Sequence, residues 1–156
     1  MKINTDGSWN PISAGFGGVV RNDKGNCIMF FSPSSATLAL EAEAHAILMA
    51  VTIAASLNWY NLEIEIDSKL LFDILNSVKQ EIWEISYYIN CFKCFSSTIS
   101  VTWKFIHRKG NRAANWAAQL GATTSNVIVG TTPPSSLKVQ MNGDSLNAPY
   151  VRNVDG

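Results

Sequence analysis

Hydrophobic and polar positions alternate in several short segments of the chain, and this period of two is typical of β-strands. Residues 2–9 predict a first strand, and a glycine-rich segment at residues 15–21 predicts a second. The Asn/Asp/Gly-rich residues 22–26 predict a hairpin turn, after which residues 27–31 predict a third strand. The chain therefore opens with an antiparallel meander.

After the meander, helical periods are separated by single strands. We expect a long helix from Thr37 to Leu57, a strand from Leu62 to Ile66, a short helix that Ser68 caps and that ends at Leu75, a helix from Ile82 to Phe95, a strand from Val101 to Ile106 and a last helix from Asn111 to Leu120. This βββ-α-β-α-β-α order predicts an α/β fold, with a five-stranded mixed sheet flanked by helices. Three antiparallel strands would be followed by parallel ones.

The composition changes at residue 122. The length of 156 residues suits one domain, which we place at residues 1–121. Residues 122–156 are rich in Thr, Ser, Pro and Asn and have few periodic hydrophobic positions. We therefore interpret them as a turn-rich C-terminal tail, either docked or disordered.

The long helix carries a glutamate where its pattern favours an apolar residue. Four polar positions share one face, which we expect to be solvated: Glu41, His45, Thr52 and Ser56. Glu43 falls instead on an apolar stripe with Ala46, Ile47, Ala50, Ala54 and Leu57. A glutamate near the start of a helix can be stabilised by the helix dipole alone. The otherwise apolar stripe favours a catalytic or metal-binding role.

Charge and cysteine content narrow the class of protein. Twelve basic and twelve acidic side chains give a formal net charge of zero, so a nucleic-acid partner would need a local basic surface. Three cysteines cannot all pair, and Cys91 and Cys94 lack the further ligands of a zinc site. Without a disulfide pattern, a signal peptide or an uninterrupted apolar run of about 18 residues, we expect an intracellular protein with no membrane partner. The sequence does not distinguish nucleus from cytoplasm.

Three acidic residues stand on separate predicted elements. Asp6 lies in the first strand, Glu43 on the long helix and Asp67 at the end of the fourth strand. Carboxylates placed among buried elements are costly unless a partner compensates them, and a divalent cation is a common partner. These three residues are therefore candidate metal ligands.

Five segments, taken in order, resemble the ribonuclease H superfamily. They are residues 4–8 (NTDGS), residues 14–22 (AGFGGVVRN), Ala42-Glu43, Ile66-Asp67-Ser68 and residues 110–116 (GNRAANW). The resemblance covers about residues 1–121 and is closest to the plant retroelement-type, reverse-transcriptase-associated RNase H-like domain. It implies an RNase H-like fold and an endonuclease that cleaves the RNA strand of RNA–DNA hybrids.

The resemblance also implies the site residues. Asp6, Glu43, Asp67 and Asn115 would be catalytic and would hold two Mg²⁺ ions, with Mn²⁺ as an alternative. Gly7, Ser8 and Ser68 would contact phosphate or 2′-OH groups, and Asn111 would also lie in the nucleic-acid interface. From its position after Gly110, Asn111 is also predicted to cap the last helix. The residues themselves leave two interpretations of a basic cluster open, a contact with the phosphate backbone or a solvated basic edge; the cluster comprises Lys104, His107, Arg108, Lys109 and Arg112. The partner would be an RNA–DNA hybrid or other nucleic acid, bound by a monomer or by part of a larger polyprotein.

The last motif departs from the family pattern at two positions. The family has an aspartate where this chain has Asn115, and a histidine where it has Phe105. Asn115 keeps an oxygen ligand but lacks the formal charge, which predicts weaker binding of one metal ion. Two alternatives stay open: a catalytically impaired module that binds nucleic acid or protein, and a different metal-dependent nuclease or transferase on the same fold.

Overall fold

The computed structural model of the chain describes residues 1–35, 38–124 and 126–154. Its strands, β1 to β7, are Lys2–Trp9, Ala14–Arg21, Cys27–Ser32, Ser34–Ser35, Asn61–Ile66, Ser100–Phe105 and Ile128–Gly130. Its helices, α1 to α5, are Ala39–Ser56, Lys69–Leu75, Ser86–Phe95, Arg112–Thr123 and Ser135–Val154. One-turn 3₁₀ helices at Trp83–Ile85 and Arg108–Gly110 precede α3 and α4.

The strands form one mixed sheet in the order β6-β5-β1-β2-β3-β7, and β4 pairs with β2. The first three strands are antiparallel, whereas β1, β5 and β6 run parallel. The predicted α/β fold and its mixed sheet are therefore confirmed. The five predicted strands are all present, and two short strands, β4 and β7, were not predicted.

Helices cover both faces of the sheet. Val19 and Val20 are adjacent in β2 and point to opposite faces, and they belong to two different hydrophobic clusters. The larger cluster lies under α1, α2 and α3, and the smaller one lies under α4 and α5. Fully buried Leu137 places α5 in the smaller cluster.

The long helix begins at Ala39, and Thr37, where we predicted its start, lies outside the described residues. By length and mean hydropathy, α1 is apolar enough to cross a membrane, but the core helix of a soluble protein passes the same test. The alanine-rich face of α1 packs on β1 and β2, so α1 is a core helix of this fold.

Two positions on α1 differ from the predicted faces. His45 is not solvated: its ring stacks on Phe16 with centroids 4.2 Å apart and contacts Tyr88. Burial lowers the pKa of His45. Leu57, predicted on the apolar stripe, is 43% exposed because it follows the last helical turn.

The segment after residue 121 forms defined secondary structure where it is described. β7 pairs with β3, and α5 packs against α4. The division of the chain at residue 121 stays a prediction.

Candidate metal centre

The strand register brings Asp6 and Asp67 to the same level of the sheet. β1 and β5 are parallel neighbours, and Asn4 lies opposite Glu65. Two residues further along, Asp67 follows the end of β5 beside Asp6. Because side chains alternate along a strand, all four residues point to the face that α4 covers.

Gly7 lets the third carboxylate approach. A Cβ atom at residue 7 would lie 2.7 Å from the backbone nitrogen of Glu43 and 2.9 Å from the Cβ of Ala42. Only a glycine allows α1 to pack this close to β1. Gly7 was predicted to contact nucleic acid, and this packing role was not predicted.

Asp6, Glu43 and Asp67 form an acidic triad whose ligand oxygens lie within 4.8 Å of one another. Asp6 is fully buried, and the side chain of Asp67 is 2% exposed. The Gly7 N–H donates to Asp6 Oδ1 at 2.9 Å. Within the described part of the chain, Asp6 Oδ2 and Asp67 Oδ2 have no hydrogen-bond partner. Converging carboxylate oxygens without donors fit a hard divalent cation.

Burial and mutual repulsion make these carboxylates hard to ionise. Burial first, and then the charge of Asp67, raise the pKa of Asp6 to about 7. Burial, followed by the charges of Asp6 and Asp67, raises the pKa of Glu43 well above its usual range. Burial also raises the pKa of Asp67. A bound cation would relieve the repulsion among all three.

Arg108 supplies positive charge beside the triad. Its Nε lies 3.7 Å from Asp67 Oδ2, and its side chain is 75% exposed. This guanidinium opposes the rise in pKa at each of the three carboxyl groups. Because most of the side chain is in solvent, Arg108 can also contact a phosphate.

Asn111 holds the start of α4 against β1, beside the triad. It is fully buried, and its Nδ2 donates to the Thr5 carbonyl at 3.0 Å. Asn111 also favours the ionised form of Asp67 and so opposes the rise in the pKa of that carboxyl group. Asn115 is half-buried in the next turn, four residues on, and therefore lies on the same face of the helix.

The structure corrects one of the predicted nucleic-acid contacts and the predicted cap. Fully buried Asn111 cannot reach a nucleic acid, and its side chain does not cap α4, because it bonds to Thr5 instead. The Gly7 N–H donates to Asp6, and contact of the Gly7 backbone with nucleic acid stays a prediction. Lys104 forms an ion pair with Glu63 at 2.7 Å, which ties it to the sheet surface.

The remaining predicted contacts are placed at the same end of the sheet. Ser68 caps α2 as predicted, since its Oγ accepts from the Leu71 N–H at 3.3 Å. His107 is exposed and packs edge-on against Phe105, with ring centroids 5.7 Å apart. Three further residues in the set are exposed or half-exposed: Ser8, Lys109 and Arg112. Their contact with nucleic acid stays a prediction.

Solved structures share this mixed sheet with helices on both faces. RNase H1 from the halophilic archaeon Halobacterium salinarum superposes with a TM-score of 0.72 at 17% identity, covering 77% of this chain and 95% of that one. LC11-RNase H1, solved with an RNA/DNA hybrid, gives a TM-score of 0.71 at 20% identity, covering 78% and 95%. The protease–reverse transcriptase of prototype foamy virus gives 0.62 at 20% identity, covering 80% of this chain but 21% of that one.

A family model described as reverse transcriptase-like matches residues 4–121. The chain therefore belongs to this family, and its fold is that of the solved RNase H1 structures. No sequence among curated proteins matches it.

Proposed function

We propose that this chain is a divalent-metal-dependent endoribonuclease that hydrolyses the RNA strand of RNA–DNA hybrids. The acidic triad carries the proposal, because one oxygen from each of its carboxylates converges within 4.8 Å. Among the described residues, buried Asp6 Oδ2 and Asp67 Oδ2 also lack a hydrogen bond. Membership of the reverse transcriptase-like family supports the same reaction. The resemblance to RNase H1 supports the fold on which such a site would act.

Each member of the site has a separate role in this proposal. Asp6, Glu43 and Asp67 would supply the carboxylate ligands of two Mg²⁺ or Mn²⁺ ions, and Asn115 would supply a neutral oxygen ligand. Cations held there would acidify a bound water and neutralise the charge on the leaving oxygen. The close packing of α1 at Gly7 and the register of β1 with β5 hold the carboxylates in place, which fixes the geometry of the site.

The substrate would approach along the exposed residues near the triad. Arg108, His107, Lys109 and Arg112 would contact phosphates, while Ser8 and Ser68 would contact phosphate or the 2′-OH groups that distinguish RNA from DNA. Since the formal net charge is zero, this local surface must supply the attraction, so affinity would depend strongly on salt. A reverse-transcriptase-associated polyprotein is the expected source of such a domain.

A second candidate function rests on Asn115. The missing fourth carboxylate favours a module that binds nucleic acid or protein without turnover. Phe105, at the family's histidine position, favours the same alternative. The retained triad favours the enzyme.

Cleavage of a labelled RNA–DNA hybrid in Mg²⁺ and in Mn²⁺ separates the two functions. We expect cleavage by the parent that Asp6→Asn reduces at least about 100-fold, since that change removes a carboxylate ligand. We also expect Asn115→Asp to increase the rate, most strongly in Mg²⁺. Cleavage by Asn115→Asp alone would indicate an impaired site, and no cleavage by either protein, with intact hybrid binding in EDTA, would favour the binding module.

A further inference from the structure

The N-terminus of α4 is capped by a side chain from another helix. Asp144 of α5 accepts hydrogen bonds from the Arg112 N–H at 2.8 Å and from the Ala113 N–H at 3.0 Å. Asp144 is 5% exposed. A carboxylate at this position satisfies amides that a helix cannot pair internally and also favours the positive end of the helix dipole.

Asp144 takes this position because the local residue is used elsewhere. Asn111 is the N-cap of α4, but its side chain makes no capping bond and donates to the Thr5 carbonyl instead. Thr5 immediately precedes Asp6 in β1. The turn that Asp144 holds is therefore hydrogen-bonded directly to the strand that carries Asp6, and Asn111 also favours the ionised form of Asp67.

Asp144 also joins this turn to the sheet. The Arg21 Nη2 of β2 donates to Asp144 Oδ2 at 3.1 Å, and Arg21 is 9% exposed. In the neighbouring strand, Lys2 is the register partner of Arg21. One carboxylate thus connects α5, α4 and β2 in the buried interior.

We propose that Asp144 is a positioning residue for the acidic triad, holding the Asn111–Asn115 turn against β1 and Asp67. This inference rests on the proposed function, because it concerns the metal affinity of the same site. Asp144 lies outside the residues 4–121 that match the family model, so the segment after residue 121 would contribute to the site without touching it.

The test compares Asp144→Ala and Asp144→Asn with the parent in two measurements. Amide hydrogen exchange at Arg112 and Ala113 should accelerate about 10-fold in Asp144→Ala, the effect of losing a helix cap. The dissociation constant of Mn²⁺ alone, measured by calorimetry, should increase roughly 3-fold to 10-fold, since 1.4 kcal/mol is a factor of ten. Asp144→Asn keeps one acceptor and should restore part of both effects.

Two controls separate positioning from general loss of stability. Ile89→Ala creates a cavity on α3, remote from this turn, and should lower the midpoint of unfolding without changing Mn²⁺ affinity. Asp23→Asn makes the same chemical change in an exposed turn and should change neither measurement.

The outcomes distinguish this inference from the function on which it rests. If the parent binds Mn²⁺ and both Asp144 variants bind it equally well, Asp144 does not position the triad. Unchanged exchange at Arg112 and Ala113 would show that Asp144 is not the cap. If the parent itself binds no Mn²⁺ and cleaves no hybrid, the proposed function fails and this inference fails with it.

Discussion

At the scale of single residues, charge is the property that defines this site. Burial raises the pKa of Asp6, Glu43 and Asp67, and at Asp6 and Glu43 the charges of neighbouring carboxylates raise it further. Arg108 opposes this effect from 3.7 Å away, with most of its side chain in solvent. The positive charge of Arg108 favours ionisation of the three carboxyl groups but repels an incoming metal cation. Arg108 should therefore weaken metal binding and strengthen nucleic-acid binding.

We predict that Arg108→Gln binds Mn²⁺ more tightly and nucleic acid more weakly. Removing one positive charge near a divalent cation should tighten Mn²⁺ binding roughly 3-fold to 10-fold at low salt. Hybrid binding should weaken, and its logarithmic salt slope should decrease in magnitude by about 1 if Arg108 contacts a phosphate. Calorimetry with Mn²⁺ and hybrid-binding titrations at several salt concentrations check both effects.

The control for this prediction is Lys24→Gln, which removes the same charge from an exposed turn between β2 and β3. It should leave Mn²⁺ affinity unchanged. Weaker Mn²⁺ binding by Arg108→Gln would contradict the electrostatic argument and would instead indicate that Arg108 supports the geometry of Asp67.

At the scale of elements, the sequence predicted the strands and helices whose hydrophobic positions recur with a regular local period. Alternation placed the five long strands, and the apolar stripe on α1 identified Glu43 as the unusual glutamate. The short strands and α5 have no such pattern, because their stability depends on the partners they pack against. Likewise, Asn111 looked like a cap from its place before α4, whereas a bond to Thr5, 106 residues away, decides its role. Long-range hydrogen bonds leave no local sequence signal.

The contact of α4 with β2 depends on small residues on both elements. A Cβ atom at Gly17 would lie 2.6 Å from the backbone carbon of Ala117 and 2.7 Å from its Cβ. Cβ atoms at Gly15 and Gly121 would lie closer still, 2.1 Å from the backbone nitrogen of Ala122 and 2.3 Å from the backbone oxygen of Pro33. The glycines of β2 therefore let α4 lie against the strand, with its start bonded to β1 through Asn111.

We predict that Gly17→Ala destabilises the protein by about 1–3 kcal/mol, the usual cost of overpacking a core. The added methyl group meets helix backbone, which cannot move aside as a flexible side chain would. Urea unfolding measures the change. Ser100→Thr adds a methyl group at an exposed position of β6 and should change stability by less than about 0.5 kcal/mol. Equal stability of Gly17→Ala and the parent would show that α4 can shift away from β2 at no cost.

At the scale of the whole molecule, the fold places buried negative charge where it lowers stability. Asp6 lies in the central strand pair and Glu43 on α1, and burial raises the pKa of both carboxyl groups. A protein selected for stability alone would place apolar or neutral residues at the triad. A functional metal site explains why the chain carries these destabilising carboxylates.

We predict that the free energy of unfolding of the metal-free protein falls as the pH rises from about 4 to about 7. The pKa of Asp6 is about 7 in the folded chain and 3.8 when unperturbed, so the folded state binds more protons between these values. Each such group changes stability by up to about 1.4 kcal/mol per pH unit. Glu43, Asp67 and Asp144 act in the same direction, whereas His45, whose pKa is lowered, acts in the opposite one below its usual value of 6.5.

Urea unfolding in EDTA across this pH range tests the sign, and two further conditions identify its source. Asp6→Asn replaces the buried acid with a neutral side chain of the same shape, so its stability should fall less with pH and should exceed that of the parent at pH 8. Added Mn²⁺ should stabilise the parent most at high pH, where protons no longer compete for the carboxylates, and should stabilise Asp6→Asn far less. If the parent in EDTA instead became more stable from pH 4 to 7, the triad would be compensated by the protein itself, and the argument that it requires a cation would be wrong.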